Sequence, residues 1–295
     1  MIRKGIMDKP SLAIIGVGKL GSTLALALWQ KGYRLSGLSD IDPARVEETA
    51  RAVNPAVSDS DPSAATRGAE IVILAVPDDS VKAVSDQLAS RQALTKGQIL
   101  CHCSGFLPSS ALVANKMLGA SIASMHPLAS FPRCLSPWDR FKGIYFGIEG
   151  DALALAGLRP LIESLDCSPV DILPSRKNLY HLSSVMASNY LVALMYAAGQ
   201  MMETTVADKG KTEAMLQSLA RTVIDSLGEN GLENSLSGPI ERGDVQTVTG
   251  HLEALKKDFP QGAELYKVLG RSLLRISKQR NPQGREWAGW EKLLD

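Results

Sequence analysis

The stretch that most constrains the fold is Leu12–Gly21, which reads LAIIGVGKLG. Its four leading apolar residues predict a buried strand, and a Gly-x-Gly-x-x-Gly run leads into an apolar helical stretch at Ser22–Trp29. In this setting the first glycine permits a tight turn, the second lets the backbone approach a pyrophosphate, and the third lets the helix pack on the strand. Free N–H groups at the helix start suit phosphate oxygens. The pattern therefore favours a dinucleotide site over a purely structural turn.

An acidic residue, Asp40, follows the second predicted strand at the distance where this fingerprint places one. An acidic side chain roughly 20 residues beyond the glycines can hydrogen-bond the adenosine ribose hydroxyls. The alternative is that Asp40 caps the next helix, but Asp42 is the better cap because Pro43 suits the first helical position. Asp40 therefore favours NAD, whereas Arg45, one helical turn away, can reach the 2′-phosphate of NADP. The choice between NADP and NAD stays open.

Further cofactor contacts are predicted where apolar strands end, because those ends face the ligand crevice of a doubly wound sheet. The apolar run Ala69–Val76 is typical of a parallel strand covered on both faces, and Pro77 and Asp78 follow it. Ser104 follows the next predicted strand, Gln98–Cys103. The candidate cofactor-binding residues are Gly16, Val17, Gly18, Lys19, Leu20, Gly21, Asp40, Val76, Pro77, Asp78 and Ser104.

Strands and helices alternate through the first half of the chain, whereas the second half shows helical periodicity almost alone. The predicted strands are Leu12–Ile15, Tyr33–Leu38, Ala69–Val76, Gln98–Cys103, Ser121–Met125, Ile144–Ile148 and Pro169–Ile172. The predicted helices of the second half are Lys177–Ala207, Thr212–Leu227, Val245–Lys257, Ala263–Gln279 and Arg285–Leu294. The pattern predicts an α/β fold: a doubly wound Rossmann domain at residues 1–173, followed by an all-helical domain at residues 174–295.

Composition narrows the expected partners and location. Lys and Arg number 32 against 31 Asp and Glu, a net charge of +1, so no nucleic-acid or anionic-membrane partner is expected. The apolar run Val185–Met202 includes several polar residues, which favours a core or dimer-interface helix over a membrane span. The basic MIRKGIMDKP has no apolar signal core after it, and the four cysteines lack metal-site spacing. We therefore expect free thiols, no metal and a cytoplasmic protein.

Polar residues that can carry chemistry cluster on one predicted helix. His181, Ser184 and Ser188 share a face of this otherwise apolar helix, and Asn189 is adjacent. A polar stripe facing an interior needs a polar partner, which a substrate or the nicotinamide amide can provide. The alternative is a hydrogen-bonded seam between the helices of a dimer. His102 and His126, near the carboxyl ends of predicted strands, are further candidates, and the pattern does not decide among the three histidines.

Six stretches spread over nearly the whole chain resemble a known family. They are IIGVGKLG at Ile14–Gly21, AEIVILAVPDDSV at Ala69–Val81, HCSG at His102–Gly105, HPL at His126–Leu128, YHLSSVMASNYLVAL at Tyr180–Leu194 and SGPIERGDVQTVTGHLEAL at Ser237–Leu255. The family comprises Rossmann-fold proteins of the 6-phosphogluconate dehydrogenase-like superfamily with a helical C-terminal domain of unknown function. Its members are often labelled deazaflavin-dependent NADP oxidoreductases, and some are similar to ketopantoate reductases.

The resemblance implies a nicotinamide cofactor, a helical domain that dimerises and a cleft between the domains. Related reductases act on small 2-keto acids, 3-hydroxy acids or cyclic imines. The hydroxyacid dehydrogenase branch has a catalytic lysine four residues before the asparagine that aligns with Asn189, but this chain has Val185 there. The acid/base candidates are then His181 and His126. Family members often carry arginine after the second strand, where this chain has Asp40.

Two hypotheses follow. The first is an NAD(P)-dependent oxidoreductase that transfers hydride between the nicotinamide and a small keto acid, ketopantoate-like, or an imine. His181 is its first choice of acid/base because an imidazole titrates near neutral pH. The residues expected to bind the substrate or to line its entrance are Ser188, Asn189, Ser104, Gly105 and His126. The second hypothesis is a non-catalytic NAD(P)-binding sensor or scaffold that dimerises through its helical domain.

Overall fold

The computed structural model describes residues 9–281, 287 and 289–295, and the chain divides into two compact units. The first unit ends at Ser188 and the second begins at Asn189. The sequence predicts a domain boundary between residues 173 and 174. A division of the chain by compactness does not test where a domain ends, so this boundary stays a prediction.

The first unit is built on one eight-stranded sheet among the described residues. Its strands are β1 (Leu12–Ile15), β2 (Leu35–Ser39), β3 (Val57–Asp59), β4 (Ile71–Leu74), β5 (Ile99–His102), β6 (Ser121–Pro127), β7 (Tyr145–Gly150) and β8 (Ser168–Asp171). They lie in the order β3-β2-β1-β4-β5-β6-β7-β8, and β7 pairs antiparallel with β6 while the other described pairs are parallel. The order in which strands are added to the sheet reverses between β1 and β4: from β1 the chain proceeds to β2 and β3 on one side, and then returns to β4 on the other. The carboxyl ends of β1 and β4 therefore border the ligand crevice of this fold.

Helices cover both faces of this sheet. They are α1 (Lys19–Gln30), α2 (Pro43–Val53), α3 (Pro62–Ala65), α4 (Asp78–Ser90), α5 (Val113–Met117), α6 (Ala152–Ser164) and α7 (Lys177–Ala187). Leu12 and Ile14 of β1 share a core cluster with α1, whereas Ala13 and Ile15 share the opposite cluster with α4. Successive strand side chains point to opposite faces, so a strand buried on both is apolar throughout. The predicted α/β fold class is confirmed.

The second unit is helical. Its helices are α8 (Asn189–Glu203), α9 (Thr212–Asn234), α10 (Pro239–Arg242), α11 (Val245–Asp258), α12 (Ala263–Arg280) and α13 (Trp290–Leu294). A cluster of buried side chains that includes Ile240, Val248 and Leu274 forms its core. Helix α13 falls within the predicted stretch Arg285–Leu294, part of which lies outside the described residues.

The uninterrupted helix predicted over Lys177–Ala207 is wrong, because the structure interrupts it at Ser188. Ser188 has φ −118° and ψ −71°. Its hydroxyl donates to the Ser184 carbonyl at 2.6 Å, and the Ser184 hydroxyl donates to the His181 carbonyl at 2.7 Å. Serine hydroxyls that bond back to the preceding turn bend helices, which a pattern of apolar residues does not register.

One helical stretch of the described chain, Pro174–Glu203, is long and apolar enough to cross a membrane by length and composition. Core helices of soluble proteins meet the same criterion. The sequence-based expectation of no membrane partner stays a prediction.

Candidate active site

The glycine loop between β1 and α1 contains glycines that serve different purposes. Gly16 has a φ of +90°, and a Cβ there would lie 2.7 Å from the carbonyl oxygen of Ala75. A Cβ on Gly21 would overlap the carbonyl oxygen of Gly16. No atom lies within 4 Å of the position of a Cβ on Gly18, which lines a large cavity. The fold therefore requires the first and third glycines, while the second leaves a surface that a ligand can approach.

The start of α1 is suited to an anion. Gly18 is the N-cap residue, and no side chain caps the helix there. The first N–H groups of a helix have no partner within the helix, and the positive end of its dipole adds to their attraction for phosphate. Gly18, Lys19 and Leu20 all line the cavity. The residues at this helix start therefore fit a dinucleotide pyrophosphate.

Asp40 is hydrogen-bonded to the glycine loop. One carboxylate oxygen accepts from the backbone N–H of Val17 at 2.8 Å, and the other accepts from that of Asp42 at 3.0 Å. Asp40 thus fixes the loop against the end of β2, while it also lines the cavity. Arg45 lines the same cavity, and its Nε lies 3.1 Å from Asp42. Since each carboxylate oxygen has a second lone pair, the loop contact leaves capacity for the ribose role, which stays a prediction.

The cavity has a volume of about 1010 Å³ and follows the carboxyl ends of the parallel strands. The predicted site residues that line it are Gly16, Gly18, Lys19, Leu20, Asp40, Val76, Pro77, Asp78, Ser104, His126 and His181. Val17, in the loop, and Gly21, in the first turn of α1, are buried instead. Ser188 and Asn189 are exposed and lie outside this lining, and Asn189 begins the second unit. The roles predicted for all these residues stay predictions.

Two histidines meet at one end of the cavity. His126 is the next-to-last residue of β6, His181 lies on α7, and their ring centroids are 6.0 Å apart. Gly105 contacts both: a Cβ there would lie 2.7 Å from Cδ2 of His181 and 2.8 Å from Nε2 of His126. Phe106 also approaches His181 edge-on, with centroids 6.3 Å apart. The sheet and α7 therefore bring together two imidazoles that are 55 residues apart in the sequence.

Tyr180, which the sequence reasoning missed, orients one of these rings. Its hydroxyl lies 3.0 Å from Nδ1 of His126. Burial raises the pKa of Tyr180 to about 12, so the phenol keeps its proton at neutral pH. Burial, assisted by the charges of His181 and Lys177, lowers the pKa of His126 to about 4. His126 is therefore a neutral imidazole near pH 7, suited to hydrogen bonding rather than to storing a proton.

A buried ion pair, Lys177 with Glu149, is the second feature that the sequence reasoning missed. The Lys177 ammonium lies 3.1 Å from the Glu149 carboxylate, and the side chains are 1% and 3% exposed. Burial lowers the pKa of Lys177, against the opposing effect of Glu149. Both residues have sequence positions that could have marked them as candidates. Lys177 stands one helical turn before His181, and Glu149 interrupts an otherwise apolar strand.

His102, at the end of β5, is fully buried and is held by the loop that follows it. Its Nδ1 accepts the backbone N–H of Ser104 at 3.2 Å, so its Nε2 carries the proton that faces the Pro108 carbonyl at 3.2 Å. Burial, with the nearby Lys177 charge, lowers its pKa to about 4. These bonds give His102 a structural role in shaping the loop that contains Gly105.

The second unit has a cavity of its own, of about 610 Å³, with a mainly apolar lining. His251 lies there, and its Nδ1 is 2.9 Å from the hydroxyl of Tyr266. Asp244, the residue before α11, accepts the N–H of Thr247 at 3.0 Å and so caps that helix.

Comparison with known protein families gives two matches. A model described as a Rossmann-like domain matches residues 5–127, and a model described as a domain of unknown function, DUF2520, matches residues 144–273. A Rossmann-like domain is thus matched in the first part of the chain and a DUF2520 domain in the second, and the resemblance drawn from the motifs is confirmed. No curated protein matches the chain.

Solved structures share the fold. Protein TM1727 from Thermotoga maritima is 26% identical, with a TM-score of 0.69, over 92% of this chain and 99% of that one. A pyrroline carboxylate reductase from Plasmodium falciparum, with NADP bound, is 14% identical, with a TM-score of 0.62, over 98% and 100%. An imine reductase from a Pseudomonas species is 15% identical, with a TM-score of 0.64, over 97% and 100%. At the two lower identities the likeness shows the fold alone.

Proposed function

We propose that the protein is an NAD(P)H-dependent reductase of a small carbonyl or imine compound. The observation that carries the proposal is the cavity of the first unit, which is lined both by the glycine loop and by His126 and His181. The same cavity therefore contains a site for the phosphates of a cofactor and two imidazoles that can take part in proton transfer or hydrogen bonding. The names of two proteins with this fold, a pyrroline carboxylate reductase and an imine reductase, support the same reaction class.

The proposed roles follow from the chemistry of the side chains. A bound nicotinamide supplies the hydride. Gly18 and the first N–H groups of α1 bind the pyrophosphate. His181 delivers a proton to the substrate oxygen or nitrogen, because an imidazole is suited to proton transfer near neutral pH. His126, a neutral imidazole held by Tyr180, orients the substrate by hydrogen bonding.

The proposed substrate is a small keto acid, ketopantoate-like, or a cyclic imine. The cavity lining near the histidines includes Pro127, Ala129 and Phe131, which suits a compact and partly apolar molecule.

The test is a turnover screen of the purified protein with a panel of 2-keto acids and cyclic imines. NADH and NADPH are supplied separately, each with deuterium at the transferred position. A reductase gives a product that carries deuterium at the reduced carbon, detected by mass spectrometry. Binding of reduced cofactor without transfer to any compound in the panel would favour the alternative, a non-catalytic NAD(P)-binding sensor or scaffold.

We further propose that the protein is a cytoplasmic homodimer whose second unit supplies the interface. Helix α8 exposes large apolar side chains, among them Tyr190 at 58%, Val192 at 70% and Tyr196 at 68%. Contiguous exposed apolar residues of this kind mark association surfaces. Light scattering of the purified chain tests the proposal, and a mass of one chain at micromolar concentration would reject it.

A further inference from the structure

The ion pair between Lys177 and Glu149 differs from the others in the chain. Both of its side chains are almost fully buried, whereas in every other ion pair of the described residues at least one side chain is more than half exposed. Taking two charges out of water carries a large desolvation cost, so a buried pair is weak evidence for stabilisation by itself. Its neighbours indicate a different purpose.

Lys177 connects two elements that carry the histidines. It is the first residue of α7, the helix that contains Tyr180 and His181. Its ammonium donates to the hydroxyl of Ser124, which lies on β6 two residues before His126. The lysine side chain therefore connects the start of α7 to the strand that carries His126.

Glu149 extends the connection to the loop between them. Its two carboxylate oxygens accept the backbone N–H and the hydroxyl of Ser109, each at 2.7 Å. The Ser124 hydroxyl in turn donates to the Ser104 carbonyl at 3.2 Å. Both ends of the segment 104–109 are thus attached to the ion pair and its neighbour. Gly105, the residue that contacts both imidazoles, lies inside this segment.

We propose that Lys177, paired with Glu149, is a positioning residue that holds His126 and His181 against Gly105 in the proposed active site. Lys177 does not line the cavity and is 1% exposed, so it acts through the elements that it joins rather than on a substrate. As a statement about catalysis, this inference rests on the proposed reductase function. As a statement about geometry, it concerns the two histidine rings and can be tested without a substrate.

The lysine charge also supplies a check that Lys177 lies close to His126. The titratable groups that face His126 are His181, Lys177, His102 and the neutral phenol of Tyr180, and the first three oppose its protonation. The groups that face Lys177 include Glu149, Asp78 and Cys103. Removing the lysine charge relieves one opposing charge on His126. We therefore expect the His126 pKa to rise from about 4 toward its ordinary value of 6.5 in Lys177→Met.

The experiment compares the wild type with Lys177→Met, the double variant Lys177→Met/Glu149→Gln and the control Lys116→Met. The control breaks an ion pair with Asp151 in the same unit, where the side chains are 51% and 27% exposed. The double variant avoids a buried unpaired carboxylate, so it keeps the test usable if the single variant does not fold. Thermal unfolding, cofactor affinity, kcat, substrate KM and NMR titration of the histidine rings are measured for each.

We expect the double variant to fold and to bind cofactor like the wild type, with kcat lowered about 10²-fold, since small misplacements of reacting groups have effects of that size. The His126 and His181 ring signals should shift in both Lys177 variants and not in Lys116→Met. Wild-type kcat and unmoved ring signals in the double variant would overturn the proposal and leave a purely stabilising pair. If the wild type reduces no substrate, the proposed function fails, and unmoved ring signals in the double variant would still overturn the positioning role.

Discussion

His126 Nδ1 lies 3.0 Å from the hydroxyl oxygen of Tyr180, and the two rings meet edge to face with centroids 5.6 Å apart. Across the antiparallel pair of β6 and β7, His126 is opposite Gly147, where a Cβ would overlap the Tyr180 hydroxyl. The absence of a side chain at Gly147 therefore lets Tyr180 reach His126. One imidazole is thus fixed by a phenol from α7, the helix that also carries the other imidazole.

We expect His181→Ala to lower turnover about 10²–10⁴-fold, the usual contribution of a positioned acid, with NAD(P)H affinity nearly unchanged. The affinity should hold because the glycine loop lies on a different segment of the chain. His126→Ala should lose less, since His126 with a pKa of about 4 is already neutral at pH 7. Steady-state kinetics and calorimetric titration check both variants. The opposite ranking would make His126 the acid, and no loss in either would assign proton delivery to water or substrate.

Gly105→Ala should disable the histidine pair while sparing the cofactor site. The added methyl would lie 2.7 Å from His181 and 2.8 Å from His126, so both rings must move. We expect kcat to fall about 10²-fold, as misplacement of reacting groups predicts, without loss of cofactor affinity. Gly250→Ala, on helix α11 with no atom within 4 Å of the new methyl, is the matched control and should keep full activity. Normal kinetics for Gly105→Ala would show that the rings need not be held where they are.

Substitution of two glycines of the Gly-x-Gly-x-x-Gly motif should have different effects, one on cofactor affinity and the other on thermal stability. Gly18→Ala adds a methyl to open space, so it should keep the wild-type melting temperature and weaken NADH and NADPH binding. Gly21→Ala forces a methyl onto the Gly16 carbonyl and should lower the melting temperature. Thermal unfolding and calorimetry measure the two effects. Unchanged affinity for both cofactors in Gly18→Ala would mean that the loop is a structural turn.

We expect the relative affinities for NADH and NADPH to depend on Asp40. If its carboxylate binds the ribose in addition to the Val17 N–H, NADH should bind more tightly than NADPH, because the carboxylate repels a 2′-phosphate. Asp40→Asn should narrow the difference while keeping an acceptor for the loop. Titration with each cofactor tests this, with Arg45→Ala as the companion variant. A wild-type preference for NADPH that Arg45→Ala removes would reject the ribose role.

The pH dependence of stability should report the buried His102. Burial, and then the Lys177 charge, lowers its pKa from 6.5 to about 4. Between these values the unfolded chain binds a proton that the folded chain does not, so stability falls as the pH drops through this window and levels off below it. The slope from one such group is at most about 1.4 kcal/mol per pH unit.

Urea unfolding across the same window measures that slope. His102→Asn should reduce it, whatever the variant does to stability at neutral pH. His251→Gln, which replaces an exposed histidine of the second unit, should leave it unchanged. Equal slopes in the wild type and in His102→Asn would show that His102 is protonated in the folded protein.

The sequence by itself determined those features that depend on neighbouring residues. The glycine loop was predicted from its spacing, because the positive φ of Gly16 and the close approach of Gly21 to Gly16 are requirements of the strand–turn–helix itself. The helix cap Asp42 was also predicted correctly, since its carboxylate binds the backbone N–H two residues ahead. The alternation of strands and helices predicted the α/β fold in the same way, because local periodicity decides which faces are buried.

Only the tertiary structure decided which distant side chains meet. Lys177 reaches Glu149 and Ser124 only after β6 and β7 pair in an antiparallel register that no local pattern specifies. The same register places Gly147 opposite His126 and so admits Tyr180. The core of the candidate site therefore lay beyond the sequence reasoning. Contacts between residues 28 to 54 positions apart follow from strand order and register, which the global packing of the sheet determines.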